Sequence, residues 1–188
     1  MKVQLSNVRL SFPTLFEAKK VGDDGELKYS ACFIIDPASA NARTLSKAVD
    51  ATAEEKWGAK AKAILAELKK KDRVCYHEGP KVNSSGEVYD GFEDMHHVNS
   101  SNKARPTVID RDRSPLQAGD GKPYGGCYVN AILELWAQDH PKYGKRINAT
   151  LSGVQFVRDG DAFVGGTPAR AEDFDDLGVE EEGEEELA

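Results

Sequence analysis

The sequence of 188 residues lacks the features of membrane, secreted or disulfide-rich proteins. No segment approaches the roughly 20 consecutive apolar residues of a transmembrane helix, and Met1–Leu5 shows no apolar signal core. Only three cysteines occur, an odd number without CxxC spacing, which is typical of reduced thiols that act as small apolar fillers. We therefore expect a cytoplasmic location and no membrane association.

The short motifs of common catalytic sites are also missing. Gly121-Lys122 is not preceded by the glycine of a phosphate-binding loop, and no GxSxG nucleophile elbow occurs. His96 and His97 are adjacent, so on a strand they point to opposite faces and cannot chelate one metal from there. These absences favour a protein that is not an enzyme and that uses no metal and no cofactor.

One enzymatic alternative stays open. Asp110 and Asp112 are spaced to share one face of a strand, as the carboxylates of a two-metal nuclease would, and Asp120 follows in the same loop. The segment Asp110-Arg111-Asp112-Arg113 is more typical of a solvated loop than of a metal site.

Charge is distributed unevenly along the chain, which has a net charge of −7. Ten of the 32 acidic residues and none of the 25 basic residues lie within 172–188, which leaves 22 acidic and 25 basic residues in 1–171. The body is therefore mildly basic, at about +3. The acidic tail, residues 172–188, has too few large apolar groups to offset the entropy of ordering, and we expect it to be disordered.

Apolar periodicity in the basic body predicts strands interrupted by one helical segment. Residues 3–12 alternate with a slip at Asn7 that indicates a β-bulge, and we expect Pro13 to end this strand. Asp36-Pro37 is typical of a helix start with Asp36 as the N-cap, and apolar spacings of three and four extend the helical insertion over about 37–70. The total of about seven short strands favours a mainly β fold, a small antiparallel barrel with a helical insertion.

Aromatic and basic residues interleave from Arg73 to Arg146, which indicates a binder of single-stranded nucleic acid. An extended single strand needs cations along its phosphates and flat aromatic faces on which its bases stack. Tyr124 and Tyr143 stand in glycine-containing, turn-like segments with less core to fill, so they are better stacking candidates than Phe33, Trp136 or Phe156. The predicted single-stranded-DNA contacts are Arg73, Tyr76, Lys81, Tyr89, Lys103, Arg105, Arg111, Tyr124, Tyr143 and Lys145.

The acidic tail gains a function in this context. A polyacidic segment resembles a phosphate backbone electrostatically, so it can occupy a basic groove when DNA is absent. When DNA displaces the tail, the tail is free to dock on other proteins. The residues predicted to do so are Glu180, Glu181, Glu182, Glu184, Glu185 and Glu186. A tail that only raises solubility is the alternative interpretation.

Four blocks of residues resemble a phage-encoded family of OB-fold single-stranded-DNA-binding proteins. The blocks are Val3–Pro13 followed by Phe16-Glu17-Ala18, Asn102–Asp110, Tyr124–Ala131 and Leu151–Phe156. The resemblance implies a five-stranded OB-like barrel with extra strands over residues 1–171 and the acidic tail over 172–188. It also implies binding of single strands without sequence preference during phage replication and recombination.

The implied partners are single-stranded DNA and, through the tail, replication or recombination proteins in the cytoplasm of the bacterial host. A homodimer stays open. The non-enzymatic alternative is a phage structural or assembly protein that contacts basic partners through its tail and has no affinity for DNA.

Overall fold

One helical segment interrupts a series of strands in the computed structural model, which describes residues 1–20, 25–163, 171 and 174–178. The strands of this part of the chain are β1 (Lys2–Lys20), β2 (Leu27–Ile35), β3 (Tyr76–His77), β4 (His96–Asn102), β5 (Thr107–Ile109), β6 (Tyr128–His140) and β7 (Gly144–Arg158). Helices α1 (Ala40–Trp57) and α2 (Ala61–Lys70) lie between β2 and β3, joined by the 3₁₀ turn Gly58–Lys60. This order matches the prediction of seven strands with a helical insertion after the second.

Five of the strands close into a barrel. β1 pairs antiparallel with β2 and with β6, β2 pairs with β4, and β6 pairs with β7. The barrel closes where β4 and β7 run parallel, at Ser101 and Thr150. β3 and β5 extend the sheet as short strands on β4 and β7. The predicted mainly β fold, an OB-like five-stranded barrel with extra strands and a helical segment, is confirmed.

Alternating apolar residues on the barrel strands fill one continuous core. On β6 the buried positions are Val129, Ala131, Leu133 and Leu135, and the residues between them point away from the core. Helix α1 packs its buried face, which includes Leu45, into the same cluster. Each fully buried Leu or Val side chain contributes about 1.5–3 kcal/mol relative to an exposed one, so the barrel and the helix stabilise each other. All three cysteines are buried and unpaired, as predicted.

Two irregularities shape β1. A register shift after Leu5 places a bulge at Asn7 (φ 51°), as the sequence predicts. The expectation that Pro13 ends the strand is wrong. A second register shift, after Ser11, leaves the proline outside the ladder, where its missing N–H costs no hydrogen bond. Phe12 lies in this second bulge at a φ of 47°, a conformation that is uncommon for a residue with a side chain.

The helical insertion begins later than predicted. Ser39, and not Asp36, is the N-cap of α1, because its hydroxyl accepts a hydrogen bond from the Ala42 N–H at 3.2 Å. The Asp36 carboxylate instead accepts the Ala38 N–H at 2.9 Å, within the turn that precedes the helix. Neither helix combines the length and the apolar character needed to cross a membrane, and the described residues contain no other α-helix.

Most of the acidic tail lies outside the described residues, including the six glutamates predicted to dock partners: Glu180, Glu181, Glu182, Glu184, Glu185 and Glu186. In the described part of the tail, Phe174 and Leu177 expose 69% and 94% of their surface, so these two apolar side chains are not packed on the barrel.

Candidate nucleic-acid interface

An open groove of about 970 Å³ crosses the outer surface of β2, β4, β6 and β7. Its floor consists of small, uncharged polar side chains that point outward because their neighbours along each strand point into the core. These floor residues are Ser30, Asn99, Ser101, Asn148 and Thr150. The pairings Ser30–Ser101 and Ser101–Thr150 place the floor residues of three strands side by side.

Two exposed aromatic side chains border the groove on the β6–β7 side. Trp136 exposes 44% of its surface and Tyr143 exposes 61%. The sequence ranks Tyr124 above Trp136 as a stacking candidate, yet Trp136 is exposed and Tyr124 is half-buried. Leu133 and Leu135 occupy the inward positions of β6, so the alternation of the strand turns Trp136 outward. That alternation was visible in the sequence and could have identified Trp136.

A third exposed ring, Phe12, borders the groove on the β1–β2 side with 46% of its surface exposed. The β1 bulge directs this side chain outward, and sequence reasoning missed it because simple alternation does not describe a bulge. The Tyr89 ring packs edge-on against Phe12 at 5.0 Å, and the Lys81 ammonium lies 5.2 Å from the Phe12 ring centre. The predicted contact Tyr89 therefore packs against the Phe12 ring and does not itself line the groove.

Five basic side chains line the groove: Lys28, Arg73, Lys81, Lys103 and Arg146. Four of the ten predicted contacts line this groove: Arg73, Lys81, Lys103 and Tyr143. The Lys81 ammonium also lies 3.4 Å from the Asn99 amide oxygen, and the Lys103 ammonium pairs with Glu26 at 3.1 Å. Cations spaced in this way can follow a chain of phosphates along the groove.

A stacked histidine pair adjoins the floor of the groove. The His77 and His97 rings are parallel within 7°, with centroids 4.4 Å apart. Burial lowers the pKa of His97 to about 4, and its Nδ1–H donates to the Gly79 carbonyl at 2.8 Å. Burial also lowers the pKa of His77, although Asp72 lies 2.7 Å from its Nδ1. His97 is therefore neutral at pH 7, so the positive charge of the groove comes from its lysines and arginines.

Two other predicted contacts lie away from the groove. Tyr76 is buried to 6% exposure, and its hydroxyl lies 2.7 Å from His96 Nδ1. The ring thus fills core on the inner side of β3. Arg105 is exposed and lies 5.7 Å from the ring centre of Phe16.

The remaining predicted contacts lie at the two ends of the β6–β7 pair. At the end far from the hairpin, the Tyr124 hydroxyl donates to Asp159 at 2.7 Å and Arg111 donates to the Val157 carbonyl. At the hairpin itself, Lys145 forms an ion pair with Asp139 at 3.6 Å, next to the groove.

The aspartates of the nuclease alternative have contacts within their own loop. The Lys122 ammonium lies 2.9 Å from Asp110 and holds the pKa of that carboxyl below its usual range. Hydrogen bonds from Ser114 lower the pKa of Asp112 in the same way, and Asp120 accepts the Gln117 N–H at 2.7 Å. Within the described residues, no group of three or more His, Cys, Asp or Glu side chains is arranged to hold a metal ion.

Comparison with known proteins gives consistent matches over nearly the whole chain. The family model described as the ssDNA-binding protein of Enterobacter phage Enc34 matches residues 1–187. A protein named putative protein p50, from Acyrthosiphon pisum secondary endosymbiont phage 1, is 44% identical over 187 residues and is covered to 98%, as is this chain.

Solved structures show the same fold. The single-stranded DNA-binding protein from bacteriophage Enc34 in complex with ssDNA is 26% identical, with a TM-score of 0.69 over 86% of this chain and 89% of that one. The gp2.5 single-stranded DNA-binding protein of bacteriophage T7, at 10% identity and a TM-score of 0.53 over 90% and 98% of the two chains, shares the fold. This chain therefore belongs to the family of the ssDNA-binding protein of Enterobacter phage Enc34.

Proposed function

We propose that the protein binds single-stranded DNA in the groove over β2, β4, β6 and β7. The observation that carries this proposal is the set of exposed rings, Phe12, Trp136 and Tyr143, around a neutral polar floor that five basic side chains line. Membership of the Enc34 family supports the same ligand. OB-folds bind oligonucleotides on the face of their second and third strands, which here are β2 and β4, and through the loop between the fourth and fifth.

Binding in this groove does not depend on base identity. Every base has a flat face that can stack on an aromatic ring, and cations contact the phosphates that all nucleotides share. The proposed site unites the predicted Arg73, Lys81, Lys103 and Tyr143 with Phe12 and Trp136. Tyr76, Arg105, Arg111 and Tyr124 are left out of the proposed site because they do not line the groove, and Tyr89 and Lys145 adjoin it.

The acidic tail acts on the same groove in this proposal. Its ten acidic residues are opposite in sign to the body, which carries a charge of about +3, so the tail is attracted to the basic side chains that DNA would contact. DNA then releases the tail for docking on replication or recombination proteins of the infected cell. The protein thus serves DNA replication and recombination as a non-enzymatic binder.

Fluorescence anisotropy of a labelled dT oligonucleotide tests both parts of the proposal. The full chain is compared at low and moderate salt with a chain that ends at Arg170 and with a full-length variant in which the six tail glutamates are glutamine. Tighter binding by both altered forms is expected, with the largest difference at low salt. Equal affinity of all three forms would contradict the competition by the tail but leave the groove intact.

Two other results decide between the remaining functions. If no form binds the oligonucleotide at low salt, the DNA-binding function fails and a structural or assembly role takes its place. Cleavage of the labelled DNA in the presence of Mg²⁺ would instead support the nuclease alternative through Asp110 and Asp112.

A further inference from the structure

The helical insertion reaches both strands of the β6–β7 hairpin, which carries Tyr143 at the border of the groove. From the end of α1, the Trp57 indole N–H donates to the Asp139 carboxylate at 3.0 Å. From the residues after α2, Arg73 donates through Nε to the Lys145 carbonyl at 2.8 Å and through Nη2 to the Tyr143 carbonyl. The two helices therefore hold the hairpin on both of its strands.

We propose that the helical insertion is a brace for this hairpin, and that Arg73 and Trp57 are positioning residues for the Tyr143 ring. The inference rests on the proposed function, since a positioned ring has value only if a base stacks on it. It also gives Arg73 a different role from the phosphate contact that the sequence predicts, because two of its five N–H donors point at carbonyl groups of the hairpin.

The end of α2 places Arg73 for this task. The Arg73 N–H donates to the Leu68 carbonyl at 2.8 Å and the Asp72 N–H donates to the Lys69 carbonyl at 3.2 Å, with Asp72 at a φ of 57°. These paired bonds form a Schellman motif, which ends the helix and fixes the direction of the chain beyond it. The Arg73 carbonyl then accepts the Ile147 N–H at 3.1 Å, so the backbone of Arg73 is anchored on α2 and on β7.

Among the described residues, the other side-chain hydrogen bonds and ion pairs at the tip of the hairpin are local, so the tip depends on this support. His140 Nδ1 accepts the N–H groups of Lys142 and Tyr143 at 3.0 and 3.1 Å, and the Asp139–Lys145 ion pair crosses the two strands at their exposed end. A two-stranded ribbon in water is marginally stable by itself.

A second groove, of about 640 Å³, separates the hairpin from α2 and is lined by Ile64, Leu68 and Tyr143. Close packing on the helix therefore does not hold the hairpin at this point, and the hydrogen bonds from Arg73 and Trp57 do. A ring that is already held in place loses less conformational entropy when a base stacks on it, so the brace raises affinity for DNA.

Conservative variants of the full chain separate a brace from a phosphate contact. Arg73→Lys keeps the charge but loses the planar fork that reaches two carbonyls. We expect this variant to bind the dT oligonucleotide roughly fivefold more weakly, because part of a base–ring stack is lost, whereas a phosphate contact alone would survive in lysine and leave affinity nearly unchanged. The slope of log affinity against log salt should stay unchanged, because lysine keeps the charge. Trp57→Phe removes one hydrogen bond and no charge. We expect a two- to threefold loss of affinity with the same slope, since the loss of one neutral hydrogen bond has an effect of this order.

A double-mutant cycle identifies the ring through which Arg73 acts. In the Tyr143→Ala background, Arg73→Lys should cause little further loss, because the positioned ring is gone. Hydrogen exchange of the DNA-free protein should also quicken at residues 140–145 in Arg73→Lys and Trp57→Phe. Lys103→Gln is the matched control, since it should lower the salt slope by about 0.7, combine additively with Tyr143→Ala and leave exchange in the hairpin unchanged.

Each outcome decides the inference. Wild-type affinity of both Arg73→Lys and Trp57→Phe, or losses that are additive with Tyr143→Ala, would overturn the brace while leaving DNA binding intact. If Arg73→Lys does not fold, Trp57→Phe alone answers the question. If the wild-type chain does not bind dT at all, the proposed function fails, and hydrogen exchange then still tests whether the helices brace the hairpin.

Discussion

Aromatic and basic residues occur at both ends of the β6–β7 strand pair, but the exposure of the aromatic rings differs. At the hairpin end, Trp136 and Tyr143 expose their rings to an open groove. At the opposite end, the Arg158 guanidinium stacks 3.6 Å from the Tyr128 ring centre, and the Lys122 ammonium lies 4.8 Å from the Phe156 ring centre. Cations lie near rings at both ends, since the Lys142 ammonium also lies 5.3 Å from the Tyr143 ring centre. The rings differ in exposure, because Trp136 and Tyr143 are exposed whereas Phe156 is buried and Tyr128 is half-buried. We call the hairpin end the open end and the opposite end the paired end.

The difference shows that composition alone does not make a binding surface. A ring is available to DNA only if the fold leaves it exposed, and a cation only if it lies beside the groove. Tyr124, which is half-buried with its hydroxyl bonded to Asp159, and Arg111, which donates to the Val157 carbonyl, meet neither condition. The following predictions test the contrast between the open end and the paired end.

The largest expected effect is that of Trp136→Ala at the open end. Because a base–aromatic stack is worth about 1–3 kcal/mol, affinity for the dT oligonucleotide should fall roughly 5- to 150-fold. Urea unfolding should show little loss of stability, because 44% of the side chain is already exposed. Unchanged affinity would remove Trp136 from the proposed site.

A smaller effect is expected from removing two groove cations. Lys81→Gln combined with Lys103→Gln should lower the magnitude of the slope of log affinity against log salt by about 1.4, which corresponds to two phosphate contacts on a single strand. Lys122→Gln at the paired end removes a positive charge from a residue that does not line the groove, so it should leave the slope unchanged. Equal slopes for the two variants would mean that only the total charge matters.

Two histidines beside the groove, the buried His97 and the half-buried His77, predict a dependence of stability on pH. The pKa of His97 is about 4 in the folded protein, whereas the ordinary value for histidine, which applies to the unfolded chain, is 6.5. Between these two pH values the unfolded chain therefore binds more protons than the folded protein. The free energy of unfolding should therefore fall as the pH decreases from 6.5 to 4, by about 2–3 kcal/mol. His77, whose pKa is also lowered, acts in the same direction.

The control for this dependence is His97→Gln, measured by urea unfolding across the same pH range. This variant should flatten most of the pH dependence, because glutamine does not titrate. A pH profile identical to that of the wild type would show that other groups cause the loss.

The smallest effect is expected at the paired end. Tyr124→Phe removes the hydroxyl that donates to Asp159 at 2.7 Å and keeps the ring, so the free energy of unfolding should fall by about 1 kcal/mol. Affinity for the oligonucleotide should stay at the wild-type value, because this ring lies outside the groove. Weaker DNA binding without loss of stability would extend the interface to the paired end.

Much of the fold could be predicted from local patterns. Alternation identifies the strands, including the bulge at Asn7, and spacings of three and four identify the helical insertion. The errors have local causes as well. Pro13 continues β1 because it falls in a bulge, and the serine hydroxyl of Ser39 replaces the predicted cap at Asp36. Propensity places an element, but the hydrogen bonds that form decide where it begins or ends.

The candidate site was harder to predict than the fold, because it depends on partners that are distant in sequence. Arg111 is 46 residues from the carbonyl that it contacts, and Tyr124 is 35 residues from Asp159. Tyr76 faces the core, whereas Trp136 points outward, although both belong to apolar strand segments. Alternation defines two faces of a strand, and only the packing of the sheet decides which face meets solvent.

The sequence by itself determined the order of strands and helices, the mildly basic body with its acidic tail, and the class of ligand that such a body suits. The tertiary structure decided which side chains meet at the groove. Closure of the barrel brings β4 beside β7, and the helical insertion brings Trp57 and Arg73 to the hairpin. Residue types and their spacing act locally, whereas the availability of a side chain for DNA depends on contacts that form only when distant segments pack together.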